Sequence, residues 1–288
     1  MNDVTQQQTL GRRRALEPAH GSLLVGCGKL GLRLAELLAR EGETVFAIRR
    51  HARALPSYVT AIASDVTKPL PRTLPPVESM VVTLPPSVDP AGYRPVLRRI
   101  RDALDQVPAR TVFVSSTGVF EGWDGPQPIT EHDVPRPATA RAQALRDGEL
   151  AAAELFDALI VRPAGIYGPG RDFLVRTVRK RRPITSAART NRIHETDLVR
   201  ALHALLRSAD PPRVLHAVDA APARLGDVTD YISELVGAEP PPESEGPGRA
   251  GNVFDGAALR RLLGDLRYPS YREGYRDMLE GGTAPPSA

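Results

Sequence analysis

Cysteine is nearly absent from this chain. Cys27 is the only one in 288 residues, so neither an intramolecular disulfide nor a cysteine-based zinc site can be built. That fits a reducing compartment, and the expected location is the cytoplasm. Lysine is almost as scarce, confined to Lys29, Lys68 and Lys180, so arginine carries nearly all the positive charge. The arginines are scattered and aromatics make up only 5 %, which argues against the basic, aromatic-studded stripe of a nucleic-acid binder. Their abundance reads either as a base-composition bias or as a taste for anionic ligands. No apolar run reaches membrane-spanning length, and the start, MNDVTQQQTLGRRRALEPAHG, lacks the apolar core of a signal peptide. The expected partner is a small molecule, anionic or neutral, with no nucleic acid and no membrane, and the chain is read as a monomer or homodimer.

What remains is long enough to bury a full core. Residues 1–20 are polar and read as a disordered arm, and 281–288 as a disordered tail. Between them strand and helix patterns alternate. Apolar strands are expected at 23–26, 44–48, 61–66, 79–84, 110–116 and 158–163. Helices are expected at 30–40, with Gly42 beyond its end, at 93–107 and at 140–157. Continuous β-branched runs separated by helices predict an α/β fold: a doubly wound, Rossmann-like parallel sheet covered on both faces. Its dinucleotide-binding domain would span 21–163, and a smaller α/β lobe, interleaved with the sheet or separate from it, would span 164–280. In that lobe the pattern gives helices at 172–181 and 226–236, a strand at 213–218, and a short helix with a closing segment over 254–279. Ligands of such sheets lie at the carboxyl ends of the strands.

The first strand runs into GCGKLG, with Gly26, Gly28 and Gly31 at G-x-G-x-x-G spacing. The first glycine permits a tight turn, the second lets backbone approach a diphosphate, and the third lets helix and strand pack closely. Lys29 and Leu30 open the helix whose free N–H groups would meet the phosphates. The end of the second strand selects the cofactor. An acidic residue there suits a ribose 2′-hydroxyl, but this chain has Arg49 and Arg50, whose guanidinium groups suit a 2′-phosphate. NADP(H) is therefore expected over NAD(H). Asp65 lies either beside the adenine or in an Asx turn before Val66.

Further motifs resemble those of the extended short-chain dehydrogenases, the NAD-dependent epimerase/dehydratase family. They are VSSTGVFEG from Val114, ITEHDVPRP from Ile129, VRPAGIYGPGR from Val161 and NRIHETDL from Asn191. The glycine loop departs from the family's usual G-x-x-G-x-x-G. The resemblance implies a catalytic hydroxyl at Ser116 with Thr117 beside it. It implies cofactor contacts from Leu84, Pro85, Ser115 and the run Pro163, Ala164, Gly165 and Ile166. His194 and Asp197 would stand where the lobe meets the sheet, and Arg192 and His194 are expected at the substrate. Phe120 and Trp123 would line an apolar pocket wall or cover the sheet end.

The family's Tyr-x-x-x-Lys pair is missing. Thr139 stands at the tyrosine position and Gln143 at the lysine position, where an amide can reach a ribose but brings no charge. Three explanations stay open. Tyr167, with Arg171 four residues on, supplies the proton from a phenol eased by the neighbouring cation. Water or substrate supplies it, with Ser116 polarising the substrate. Or nothing is catalysed, and the protein binds NADP(H) as a sensor. Glu131, His132 and Asp133 lie side by side on a proline-rich loop without metal-ligand spacing, so no metal is expected. The run from Arg179 to Arg182 reads as a solvated helix end or as a clamp for an anionic substrate that Arg171 would share.

Overall fold

The computed structural model describes residues 21–51, 55–70, 73–245 and 250–281. The expected arm, and the expected tail beyond its first residue, lie outside these. Seven parallel strands form one sheet in the order β10-β6-β5-β4-β1-β2-β3. They are β1 (Gly21–Val25), β2 (Thr44–Arg49), β3 (Val59–Ala63), β4 (Ser79–Val82), β5 (Arg110–Val114), β6 (Leu159–Pro163) and β10 (Val214–Ala217). β1, β4 and β6 are buried along their whole lengths, as continuous apolar runs require, whereas the edge strand β3 buries Val59 and exposes Thr60, Ala61 and Ala63. β3 starts and stops two to three residues earlier than its pattern suggested.

Alternation along the strands builds two cores. Leu24, Val81, Val112 and Val161 pack under α1 (Lys29–Arg40) and α5 (Glu195–Arg207). Leu23, Met80, Phe113 and Ile160 pack on the other face under α2 (Tyr93–Asp102) and α3 (Ala140–Phe156). Each large aliphatic or aromatic side chain so buried contributes roughly 1.5–3 kcal/mol. Gly42, at φ 84°, follows the end of α1 as its position predicted.

Residues beyond Pro163 divide their loyalties. α5, β10 and α7 (Ala257–Leu263) belong to the sheet, β10 pairing directly with β6. α4 (Phe173–Arg179), α6 (Leu225–Val236) and α8 (Tyr271–Glu280) instead gather round Tyr167, Val178, Ile232 and Tyr275 as a separate small core. Two short sheets connect the parts: β7 (Gly165–Tyr167) with β9 (Arg192–His194), and β8 (Arg189–Thr190) with β11 (Ala223–Arg224). The closing segment expected near the end is a full helix, α8. Ser270 and Glu273 start it with a reciprocal capping box, in which the Ser270 N–H donates to the Glu273 carboxylate at 3.1 Å.

The strand order reverses between β1 and β4. The crevice where ligands of open α/β sheets bind therefore opens at the carboxyl ends of these two strands.

Candidate functional site

The glycine loop fills one side of that crevice. Gly26 takes φ 88°, and a Cβ there would stand 3.1–3.2 Å from Leu84 and Thr83, so both conformation and space demand glycine. Gly28 caps α1 at an ordinary φ of −87°, and nothing lies within 4 Å of where its Cβ would point. Its backbone faces open space that a side chain would occupy. Gly31 lets α1 settle on the loop, its Cβ position 3.5 Å from the Gly26 carbonyl. Leu30 is buried and anchors the helix. The first turn of α1 carries no acidic residue and no side-chain cap, so its free N–H groups and positive dipole end are unopposed.

A cleft of about 580 Å³ extends from this loop, lined by Arg49 and Arg50 at the end of β2, Asp65 and Val66 beyond β3, and Leu84 and Pro85 beyond β4. The Tyr93 hydroxyl fixes the Leu84 carbonyl at 2.9 Å. Neither Arg49 nor Arg50 has a side-chain hydrogen bond or ion pair among the described residues. The positive charge of Arg49 is felt at the Cys27 thiol, whose pKa burial nevertheless raises. Asp65 forms the expected Asx turn at the wall of the cleft. It accepts from the Thr67 N–H at 3.0 Å and the Thr67 hydroxyl at 2.8 Å, which holds its carboxyl below the usual range, and it also lines the cleft.

A second cavity, about 220 Å³, lies at the ends of β5 and β6. Thr117, Gly118 and Glu121 form one side, Ala164 the floor, and Arg189, Thr190, Asn191, Asn252 and Phe254 the other. The Thr117 hydroxyl donates to the Pro163 carbonyl at 3.4 Å and ties the two strand ends together. Ser116 accepts from the Gly118 N–H at 3.0 Å and starts the short turn Thr117–Phe120. Asn191 donates to the Asn252 carbonyl at 2.6 Å and accepts from the Phe254 N–H at 3.1 Å, while Asn252 donates to the Phe120 carbonyl at 3.1 Å. These amides lock the far wall onto the sheet. Gly165 and Ile166 begin β7 just beyond.

Several expected site residues do other work. Ser115 turns inward and donates to Glu149 at 2.8 Å, so its hydroxyl is spent in the core. Gln143 is exposed on α3 and donates to Asp147 at 2.8 Å. Thr139 is the N-cap of α3, accepting from the Ala142 N–H at 3.2 Å and donating to Glu121 at 3.1 Å. Tyr167 is 3 % exposed, stacks on Tyr275 with centroids 4.6 Å apart, and donates to the Ser270 carbonyl at 3.2 Å. Burial pushes its phenol pKa up, the opposite of what a proton donor eased by Arg171 would show.

Arg171 pairs instead with Glu195 at 3.2 Å. Phe120 is fully buried and meets Trp123, His216 and Phe254 edge to face, so it packs the core rather than a pocket wall. Trp123 covers that cluster from outside, the second of its two readings. His194 caps α5, accepting from the Thr196 N–H at 3.2 Å, and burial lowers its pKa to about 4. Arg192 is 4 % exposed, under the Tyr271 ring and bonded to Thr190. Among the described residues no group of three or more His, Cys, Asp or Glu side chains could hold a metal. Glu131 and Asp133 serve their loop, bonding the His216 N–H at 3.0 Å and the Thr130 N–H at 2.8 Å.

Arg189 and Asn252 lie outside every motif, and Glu121 and Asn191 lie inside motifs that assign them no role; only the fold brings the four to one cavity. No described helix is long and apolar enough to cross a membrane.

Sheet order and the glycine crevice at the switch point define a Rossmann-like α/β fold. The likeness to NAD-dependent epimerase/dehydratase proteins read from its motifs holds in three dimensions. No family model and no curated protein matches the chain. Solved structures do. A Methylobacillus flagellatus protein described as a candidate NAD-dependent epimerase/dehydratase is 28 % identical at TM-score 0.79, over 92 % of this chain and all of its own. A functionally unknown conserved protein of Silicibacter pomeroyi is 24 % identical at TM-score 0.74, over 91 % of this chain and 99 % of its own. MoeE5, solved with UDP-glucuronic acid and NAD, is 23 % identical at TM-score 0.73, over 90 % and 98 %.

Proposed function

We propose that this chain is an NADP(H)-dependent oxidoreductase or epimerase/dehydratase-like enzyme acting on a small polar substrate. The observation that carries the cofactor half is the pair Arg49 and Arg50. They line the glycine-loop cleft with no side-chain hydrogen bond or ion pair among the described residues, and a 2′-phosphate there would meet two guanidinium groups. Each charge-assisted bond there is worth roughly 1.5–3 kcal/mol. The residues present fit a dinucleotide. Gly28 leaves a cradle that a Cβ would fill, and the N–H groups of Lys29 and Leu30 are unopposed at the start of α1. The binding of NAD by MoeE5 supports a nicotinamide cofactor; the 2′-phosphate preference is our own reading.

When bound, the nicotinamide supplies the hydride acceptor or donor. Thr117, which lines the second cavity, would orient and polarise a substrate oxygen there, with Ser116 beside it in the chain. With Tyr167 in the core and Thr139 spent as a cap, the proton comes from water or from the substrate itself.

Calorimetric titration with NADPH and NADH tests the cofactor assignment. Wild type should prefer NADPH, and replacing Arg49 and Arg50 by Ala should weaken NADPH at least about tenfold while leaving NADH nearly unchanged. Equal losses refute it.

One observation favours a second reading, a non-catalytic NADP(H) sensor. The second cavity is lined by neither tyrosine nor lysine. Turnover followed at the nicotinamide absorbance, over a panel of nucleotide sugars, keto acids and imines, separates the two. Tight cofactor binding without turnover on any member of the panel favours the sensor.

A further inference from the structure

The turn after β7 lies against the start of α1, where two arginines meet on one buried carboxylate and a lysine holds the turn's backbone. The Arg171 N–H closes this turn on the Gly168 carbonyl at 2.8 Å. Lys29, the first residue of α1, donates to the Gly170 carbonyl at 2.5 Å. Arg33, one helical turn further on, lies 2.9 Å from Glu195 Oε1, and Arg171 donates to Oε2 of the same carboxylate at 3.2 Å. The Glu195 side chain is 0 % exposed, whereas Arg33 and Arg171 are 39 % and 29 % exposed. Gly168 admits this arrangement, because a Cβ there would stand 2.6 Å from Glu195 Cγ.

A carboxylate taken wholly out of water is costly, and an apolar side chain would pack the same place more cheaply. What Glu195 achieves is to hold two guanidinium groups from different elements at one helix end while their outer edges stay in solvent. Lys29, Arg33 and Arg171 against Glu195 leave a net charge of +2 at the start of α1, next to Gly28. Neighbouring acids do not cancel it. Asp197 is taken by Arg200 at 2.7 Å and by the N–H groups of Arg267 and Tyr268 at 2.9 Å, and Asp172 by Arg176 at 2.8 Å.

We infer that the Gly168–Arg171 turn is a basic cover for the diphosphate of the bound dinucleotide. Lys29, Arg33 and Arg171 supply the charge, and Glu195 is the positioning residue that aims the two arginines. This rests on the dinucleotide reading above but not on the preference for NADP(H), since NADH carries the same diphosphate. On binding, Lys29 exchanges the Gly170 carbonyl for a phosphate oxygen, and the turn settles over it.

The test is titration of wild type, Arg33→Met, Arg171→Met and Glu195→Gln with NADPH, NADH, ADP-ribose and adenosine 2′-monophosphate, the last lacking a diphosphate. Each arginine variant should weaken the first three ligands by about tenfold and leave adenosine 2′-monophosphate unchanged. Glu195→Gln should do the same, and Arg171→Lys should recover part of the loss. The exposed arginine variants keep the test decisive if Glu195→Gln fails to fold. Unchanged affinity of the arginine variants for NADH and ADP-ribose overturns the cover. So does an equal loss for adenosine 2′-monophosphate, which would mean a merely structural role. Wild type that binds none of the dinucleotides overturns the underlying reading, and is told apart because it fails before any variant is compared.

Discussion

Arg162 and Glu149 face each other as a two-bond pair in the middle of the molecule, Nε to Oε1 and Nη2 to Oε2, both at 2.8 Å. The arginine is on β6 and the glutamate on α3, and their side chains are 3 % and 2 % exposed. Ser115 and Arg146 use the remaining lone pairs of the carboxylate. An arginine inside a parallel strand survives only because this partner waits on the covering helix.

Removing that partner should therefore be severe. Glu149→Ala leaves a buried guanidinium unpaired and is expected to cost about 3–5 kcal/mol in urea unfolding. The double change Glu149→Leu with Arg162→Met should cost less than the sum of its single changes, because no charge is left stranded. A loss under about 1 kcal/mol for Glu149→Ala would mean that water reaches the pair.

Two glycines of the loop should separate folding from binding. Gly28→Ala meets no protein atom and keeps an allowed φ, so the melting temperature should hold while NADPH and NADH affinity falls steeply. Gly26→Ala is strained at φ 88° and crowded by Thr83 and Leu84, so it should lower stability itself, by about 1 kcal/mol or more. If both variants lost stability equally, the space in front of Gly28 would not be a ligand cradle.

Acid should weaken the fold through two buried histidines. Burial lowers the pKa of both His194 and His216 to about 4, against 6.5 for an ordinary histidine. Between those values the unfolded chain binds the protons and the native one does not, so stability should fall as pH drops from 6.5 toward 4. Asn at position 194 can still cap α5 but cannot titrate, so His194→Asn should reduce this slope. The same slope in wild type and variant would mean that His194 titrates normally.

Asp219 works in the opposite sense. It is 3 % exposed, and burial raises its pKa to about 7 despite Arg192. The native state then holds a proton that the unfolded state has released, so this group favours the fold at low pH and loses that contribution as pH rises from about 4 to 7. The stability of Asp219→Asn relative to wild type should accordingly climb through that interval and level off above it. A pH-independent difference would show an ordinary carboxylate.

Tyr167→Phe removes one hydrogen bond, to the Ser270 carbonyl, from a stacked core ring. It should cost roughly 0.5–1.5 kcal/mol in thermal unfolding and leave cofactor affinity and any turnover intact. Loss of turnover with an unchanged fold would return the phenol to the chemistry.

The sequence by itself determined whatever depends on local pattern. Continuous apolar runs gave the parallel sheet, because a strand covered on both faces has no polar side to show. The glycine spacing and Arg49–Arg50 marked one cleft at the switch point of the sheet, because a turn, a helix start and a strand end are built within some thirty residues. Tertiary structure alone decided the rest. Tyr167 beside Arg171 looks like an activated phenol along the chain, yet β7 carries the ring into a core and the cation to Glu195, 24 residues away. Thr139 occupies the place of a catalytic tyrosine and caps a helix. Glu121, Arg189, Asn191 and Asn252 meet in one cavity from three separate segments, and Glu149 finds Arg162 only across the helix–sheet interface. Burial and partnership are set by long-range packing, and no local spacing encodes which side chain a fold will turn inward.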